Sequence, residues 1–218
     1  MITIRSLQIG SIRTEGDPRS KSLTERQWTT GFYKQPTTSA VAIDSWGIAG
    51  DAVADTTNHG GVDKAVLCYS YANYDRWNRE YPDLRMTGGA LGENLTLDGA
   101  DETTVCIGDR YVIGDVIVEV SQPRQPCWKI SRRWRLEALA KEVARTGRTG
   151  WYVRVITGGE IRAGDKLELI AKPQKLWTVQ RANDILFGRE SDPQRIAELV
   201  GVAELAESWK QSISARDR

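Results

Sequence analysis

The feature that most limits what this chain can fold into is its rhythm of short apolar runs separated by glycine-aspartate turns. Residues 95–97, 111–113 and 116–120 each carry a strand-like run, with Gly108-Asp109 and Gly114-Asp115 as the turns around them. Residues 151–156 and 166–170 continue the series through Gly158-Gly159 and Gly164-Asp165. Earlier, Ile2, Ile4, Leu7 and Ile9 fall in a β-like run, and residues 38–43 alternate ahead of a turn at Gly47, Gly50 and Asp51. Residues 65–71 form an apolar run expected to be a buried strand. Residues 13–37 are polar and turn-rich, and read as an excursion over the surface. Two stretches change period. Tyr74, Trp77 and Tyr81 recur as on one helix face until Pro82, and Ile130, Trp134, Leu136, Leu139, Ala140 and Val143 predict one helix ending near Gly147. Many short strands with so few helices among them favour a closed or nearly closed β-barrel over a βαβ sheet.

The strand signals stop at Pro173. Helical patterns follow over residues 179–186, 192–200 and 203–213, with Asp192 as an N-cap, Pro193 in the first turn and Gly201 at the end of the second pattern. Helices this short do not persist alone in water. They are expected to pack around Ile185, Leu186, Ile196, Leu199, Leu205 and Trp209. The expectation is therefore a mainly β fold with some α: a barrel domain over residues 1–172 and a small three-helix domain over residues 173–218.

Charge and cysteine content exclude several functions. With 30 basic and 29 acidic residues, nothing draws the whole chain onto a nucleic acid polymer or a membrane. Cys68, Cys106 and Cys127 show no paired spacing, which argues against a disulfide framework or a zinc ribbon. No signal-like or membrane-spanning apolar run occurs, so a reduced, cytoplasmic setting is expected.

The stretch from Val120 to Ile130 carries the most chemistry. Pro123 and Pro126 stiffen it, and Cys127 stands between Arg124 and Lys129. Nearby cations favour the thiolate, the form that attacks electrophiles and binds soft metals. The plainer alternative is a small buried hydrophobe. A second motif, His59-Gly60-Gly61-Val62-Asp63-Lys64, places the single histidine beside paired glycines and a lysine. Glycines can expose backbone N–H groups to an anion, although an ordinary turn capped by Asp63 fits the same residues. A third, Gly92-Glu93-Asn94, is a polar group leading into a strand, and a turn explains it equally well.

Taken together in this order, HGGVDKAV, GENLT and SQPRQPCWKI resemble the MOSC domain, specifically its bacterial YiiM type. TGRTGWYVRVITGGEIRAGDKLEL is similar to the closing strands of that family, and residues 179–213 to the three-helix extension of the YiiM branch. The resemblance implies a β-barrel and molybdenum cofactor, a phosphorylated pterin whose dithiolene holds the metal. It implies that Cys127 ligates molybdenum and that the chemistry is two-electron reduction of N-hydroxylated compounds such as hydroxylaminopurine bases. Under it, His59 and Asp63 join Cys127 as catalytic candidates. Gly60, Gly61, Lys64, Glu93, Asn94, Gln122 and Arg124 become candidates for holding the cofactor. Trp128 stands where a tyrosine is common in bacterial members, which bears on substrate preference. Two rivals stay open: a sulfur carrier using a Cys127 persulfide, and a non-catalytic cofactor-binding protein. The chain carries no dinucleotide fingerprint and too few cysteines for an iron–sulfur cluster, so an external electron-transfer reductase, flavin-based, is the expected partner.

Overall fold

The computed structural model describes residues 1–216. The first apolar run is β1 (Ile2–Ile9). The turn-rich segment after it is more ordered than expected, with β2 (Arg13–Glu15), β3 (Trp28–Thr30) and β4 (Gln35–Thr37). Strands β5 (Val41–Asp44) and β6 (Gly47–Ile48) form a hairpin. Helix α1 (Thr56–His59) and a 3-10 turn, Val62–Lys64, lead into β7 (Val66–Ser70), which is buried along its whole length. Helix α2 (Tyr71–Glu80) follows directly, then β8 (Leu95–Asp98), β9 (Arg110–Ile113) and β10 (Val116–Pro123). Helices α3 (Trp128–Trp134) and α4 (Leu139–Thr146) precede β11 (Trp151–Thr157), β12 (Gly159–Ile161) and β13 (Lys166–Ala171). The chain continues through α5 (Val179–Leu186), α6 (Pro193–Val200) and α7 (Glu207–Arg216).

Seven strands close a barrel in the order β13-β9-β10-β11-β7-β8-β1, with β1 paired back to β13 and β4 attached outside β1. Closure is made by Ile2 opposite Leu167 and Thr3 opposite Lys166. The pairs are antiparallel except β7 with β8. Parallel neighbours need a crossover, and α2 supplies it. Inside the ring, Ile4, Leu7, Leu95, Leu97, Ile113, Val118 and Val153 join one buried apolar cluster. A second cluster gathers Trp28, Tyr69, Tyr74, Trp77, Leu91, Ile130, Leu139 and Val143 where the helices meet the barrel wall. Trp77 donates to the Tyr69 hydroxyl at 2.7 Å while the Arg148 guanidinium lies 3.5 Å from its ring centre. Truncating so buried an aromatic would cost roughly 3–5 kcal/mol.

Three expectations are corrected. The single helix after Cys127 is two helices, because Arg135 turns left-handed at φ 50. The Ser131 hydroxyl donates to Glu137 O and accepts from Ala140 N, a local alternative to the helical ladder. The last helix starts at Glu207, later than its apolar pattern, because Val202–Leu205 close a tight turn through Leu205 N–H to Val202 O at 3.3 Å. The C-terminal helices also do not keep a core to themselves. Val179, Ile185, Leu199, Leu205 and Trp209 belong to the barrel's own apolar cluster. Backbone bonds fix the docking: Val179 N–H to Val105 O, Ile107 N–H to Trp177 O and Ala206 N–H to Ser121 O, each 2.9 Å. Among the described residues, no helix is long and apolar enough to cross a membrane.

Candidate functional site

Strand β10 runs on to Pro123, past the point where the prolines suggested a loop, and delivers Arg124 and Cys127 to one end of the barrel. Cys127 caps α3. From the other side, α1 brings His59, with Asp55 at its start accepting from Asn58 N–H at 3.1 Å. Gly61 has φ 98 and open space where a Cβ would sit, so the turn that follows suits glycine. These elements line a cleft open to solvent, walled by Cys127, Arg124, Lys64, His59, Asn94 and residues of the 30–34 and 51–54 segments.

The thiol has an unusual environment. Burial alone would raise its pKa, but a hydrogen bond with His59, the Arg124 charge and the Lys129 backbone N–H outweigh burial and bring it down to about 7. His59 Nδ1 in turn lies 3.2 Å from Asp55 Oδ2 and 3.4 Å from Lys129 Nζ. Cys68 and Cys106 are buried, and burial pushes both thiols up. Cys106 does have a cation beside it, Lys172 Nζ at 3.3 Å, which the sequence did not suggest. Asp109 takes up that lysine at 2.8 Å.

Arg124 is positioned in detail. Its N–H donates to Gly150 O at 3.0 Å, and Gly150 N–H donates to the buried Glu102 carboxylate at 2.8 Å. A Cβ at Gly150 would fall 2.5 Å from Cys68 O, so this junction admits glycine alone. Arg124 Nη2 donates to Leu91 O at 3.2 Å, while the buried Nη1 has no partner. Lys64, whose pKa is lowered by burial, donates to Asn58 O at 2.8 Å and keeps donors to spare.

The other candidates are placed differently from the expectation. Asp63 does not line the cavity: its carboxylate is held by Arg154 at 2.8 Å. Gly60 and Gly61 shape the turn between His59 and Lys64 without lining the cavity. Glu93 is fully buried and fully used, accepting from Tyr74 Oη, Gly89 N–H, Thr96 Oγ1 and Leu91 N–H at 2.6 to 3.2 Å. Its task is to hold the Leu91 loop that meets Arg124. Asn94 lines the cavity, but its amide is engaged with Leu67 N–H at 3.2 Å and Asp51 at 2.9 Å. Gln122 lies in an adjoining cavity, with Ser208 Oγ 3.4 Å from its Oε1.

Sequence reasoning missed Phe32, Lys34, Asp51 and Tyr152 as lining residues. Lys34 and Asp51 form a buried ion pair, and burial lowers the lysine pKa. Tyr152 sits opposite Gln122 in the β10–β11 register, and burial pushes its phenol up to about 12. That register was readable in principle from the alternation of residues 151–156. Lys34 stood in a polar segment with no pattern to mark it.

Known proteins share this plan. The MOSC domain matches residues 55–168 and a YiiM-like 3-alpha helix domain matches residues 177–216. The protein YflK of Bacillus subtilis (strain 168) is 37% identical over 204 residues, covering 93% of this chain and 92% of its own length. A protein of Gibberella moniliformis named Reductase is 37% identical over 174 residues, which is 78% of this chain but 31% of that longer protein. The crystal structure of YiiM from Geobacillus stearothermophilus matches with a TM-score of 0.81 at 30% identity, covering 99% of both chains. The chain belongs to the MOSC domain family, in the branch that carries the YiiM-like three-helix domain.

Proposed function

We propose that this protein is a molybdenum-cofactor-dependent reductase of N-hydroxylated compounds, with hydroxylaminopurine-type bases as the substrate class. The observation that carries the reading is Arg124 lining the same cavity as Cys127, with the buried Nη1 of its guanidinium left without a partner. Leaving such a donor unpaired costs roughly 1–3 kcal/mol, or more when it is charged. A cavity built that way favours an anionic ligand, and a phosphorylated pterin is one. Arg124 and Lys64 would hold its phosphate, and Cys127 would ligate the metal. Among the described residues no three His, Cys, Asp or Glu side chains converge as a metal cage. A metal beside Cys127 would then take its other ligands from the pterin dithiolene, a soft set that suits a thiolate.

When bound, the cofactor supplies two-electron redox chemistry. The overall conversion is R–NHOH + 2 e⁻ + 2 H⁺ → R–NH₂ + H₂O. The residues of the chain orient the cofactor, and His59 keeps Cys127 as thiolate. In this proposal the electrons come from a separate reductase, flavin-based. Relatives' names agree with a reductase at the coarse level, through the Gibberella moniliformis protein. A persulfide carrier would need no anion site, so the free Arg124 donor favours the reductase.

The test is to prepare the protein in a host that makes the cofactor and to measure molybdenum and pterin content. Assays with an N-hydroxylated purine should show turnover with reduced viologen or a flavoprotein, and none with NADPH alone. Metal-free protein that instead accepts sulfur from a cysteine desulfurase would overturn the reading.

A further inference from the structure

We propose that the second cavity beside Cys127 is a chamber for a planar, uncharged heteroaromatic base, and that α7 forms its specificity wall; this rests on the reductase reading above. Cys127 stands between two spaces. The cavity already described is lined by Arg124. The adjoining one, about 440 Å³, shares Cys127, His59, Lys64 and Tyr152 with it but is not lined by Arg124. What it adds is mostly neutral: the amides of Gln122 and Gln125, the hydroxyls of Ser208 and Ser212, and the indole of Trp128. Its one carboxylate, Asp55, is already engaged by Asn58 and His59.

Helix α7 is a rigid wall for this space. Ser208 and Ser212 lie one turn apart on one face. Trp209 and Ile213 anchor another face in the core, at 0% and 2% exposure. The helix entry is fixed by Ala206 N–H to Ser121 O, next to Gln122 on β10. The Ser212 hydroxyl donates to Ser208 O at 2.9 Å and keeps its lone pairs for a base N–H, while the Gln125 amide can both donate and accept, as the edge of a purine-like base requires. Trp128 is 51% exposed; the Arg132 guanidinium lies 4.3 Å from its ring centre, which leaves one face for stacking. A flexible aliphatic substrate with no planar face would gain little from the indole and amide groups of this lining. The three-helix segment is thereby given a role at the site, through residues that small side chains keep open.

The experiment uses full-length protein with Ser212→Trp, and Ser208→Leu as a second variant on the exposed rim. Equilibrium dialysis with 6-hydroxylaminopurine, on metal-loaded and metal-free protein, reads binding directly. Binding should weaken about tenfold or more in both variants, with molybdenum and pterin content unchanged. The ratio of kcat/KM for the purine to that for hydroxylamine should fall by a similar factor. Unchanged dialysis in both variants overturns the proposal, as does an equal loss for purine and hydroxylamine. If wild-type protein holds no molybdenum, the reductase reading fails by itself. Dialysis then still decides the chamber: binding lost in Ser212→Trp supports it, and binding absent from wild type overturns it.

Discussion

Asp63 and Arg154 meet in a 2.8 Å ion pair that ties the turn after His59 to β11. The same guanidinium reaches Glu119 at 2.7 Å and the carbonyl of Glu204 at 3.0 Å. One side chain thus joins the His59–Lys64 segment, the barrel and the C-terminal helices. Arg154→Ala should lower stability by roughly 1.5–3 kcal/mol in urea unfolding, the usual scale for charge-assisted hydrogen bonds. Asp63→Asn should cost less and leave the rate of Cys127 alkylation within about twofold. Loss of all thiol reactivity on Asp63→Asn would return that residue to the reaction centre.

The Cys127 thiol should titrate near pH 7 in metal-free protein. Its acidic form is the neutral one, so the thiolate fraction rises as pH climbs through that value. Alkylation by iodoacetamide should therefore rise with a midpoint of about 7, below the ordinary ~8.5 of a free thiol. His59→Ala removes the hydrogen bond that opposes burial, and should move the midpoint upward. A profile unaffected by His59→Ala would refute that account.

Arg124→Ala should reduce cofactor retention by roughly 1.5–3 kcal/mol, about one to two decades, with a clear salt dependence. Arg124→Lys should not restore it, since a single ammonium lacks the planar fork that holds Leu91 O with one arm and leaves the other for a phosphate. Lys64→Ala should weaken retention in the same direction. Pterin and molybdenum content of purified variants, normalised to folded protein, provide the measurement.

Cys127→Ser should lose molybdenum, whereas Cys106→Ser and Cys68→Ser should retain it per folded molecule. Cys68 is 2% exposed inside the barrel, so its serine variant should lose about 1–3 kcal/mol of stability from burying a hydroxyl. Full metal content in Cys127→Ser would refute its role as ligand.

The fold was legible where hydrophobic period and turn residues agreed. The run at 65–71 became β7, the Tyr74–Trp77 face became α2, and Pro193 and Gly201 bracket α6. Legibility failed where a decision rests on contacts distant in sequence. Arg135 breaks a helix that its neighbours' periodicity favours, and nothing local marks residues 30–34 as cavity wall. At the site, the influence of Arg124 on the Cys127 thiol was legible because charge and thiol sit close in the chain. Glu93 and Asp63 lie outside the cavity lining, which the motifs could not show, because a polar residue in a motif looks the same whether it meets a ligand or braces a loop. Only the partners, Tyr74 and Leu91 for one and Arg154 for the other, tell these roles apart.

The way the ring closes bears on how the chain is made. Strand β1 leaves the ribosome well before its ring partners β8 and β13 are synthesised. Until residues 166–171 emerge, the nascent barrel stays an open sheet with two free edges. Such contacts between distant parts of a chain slow folding and expose strands to neighbouring chains. The α2, α3 and α4 cluster around Trp77 and Ile130 can form in that interval, holding one wall of the barrel while the first strand waits. A pause in translation across residues 99–165 would therefore lengthen the life of the open sheet.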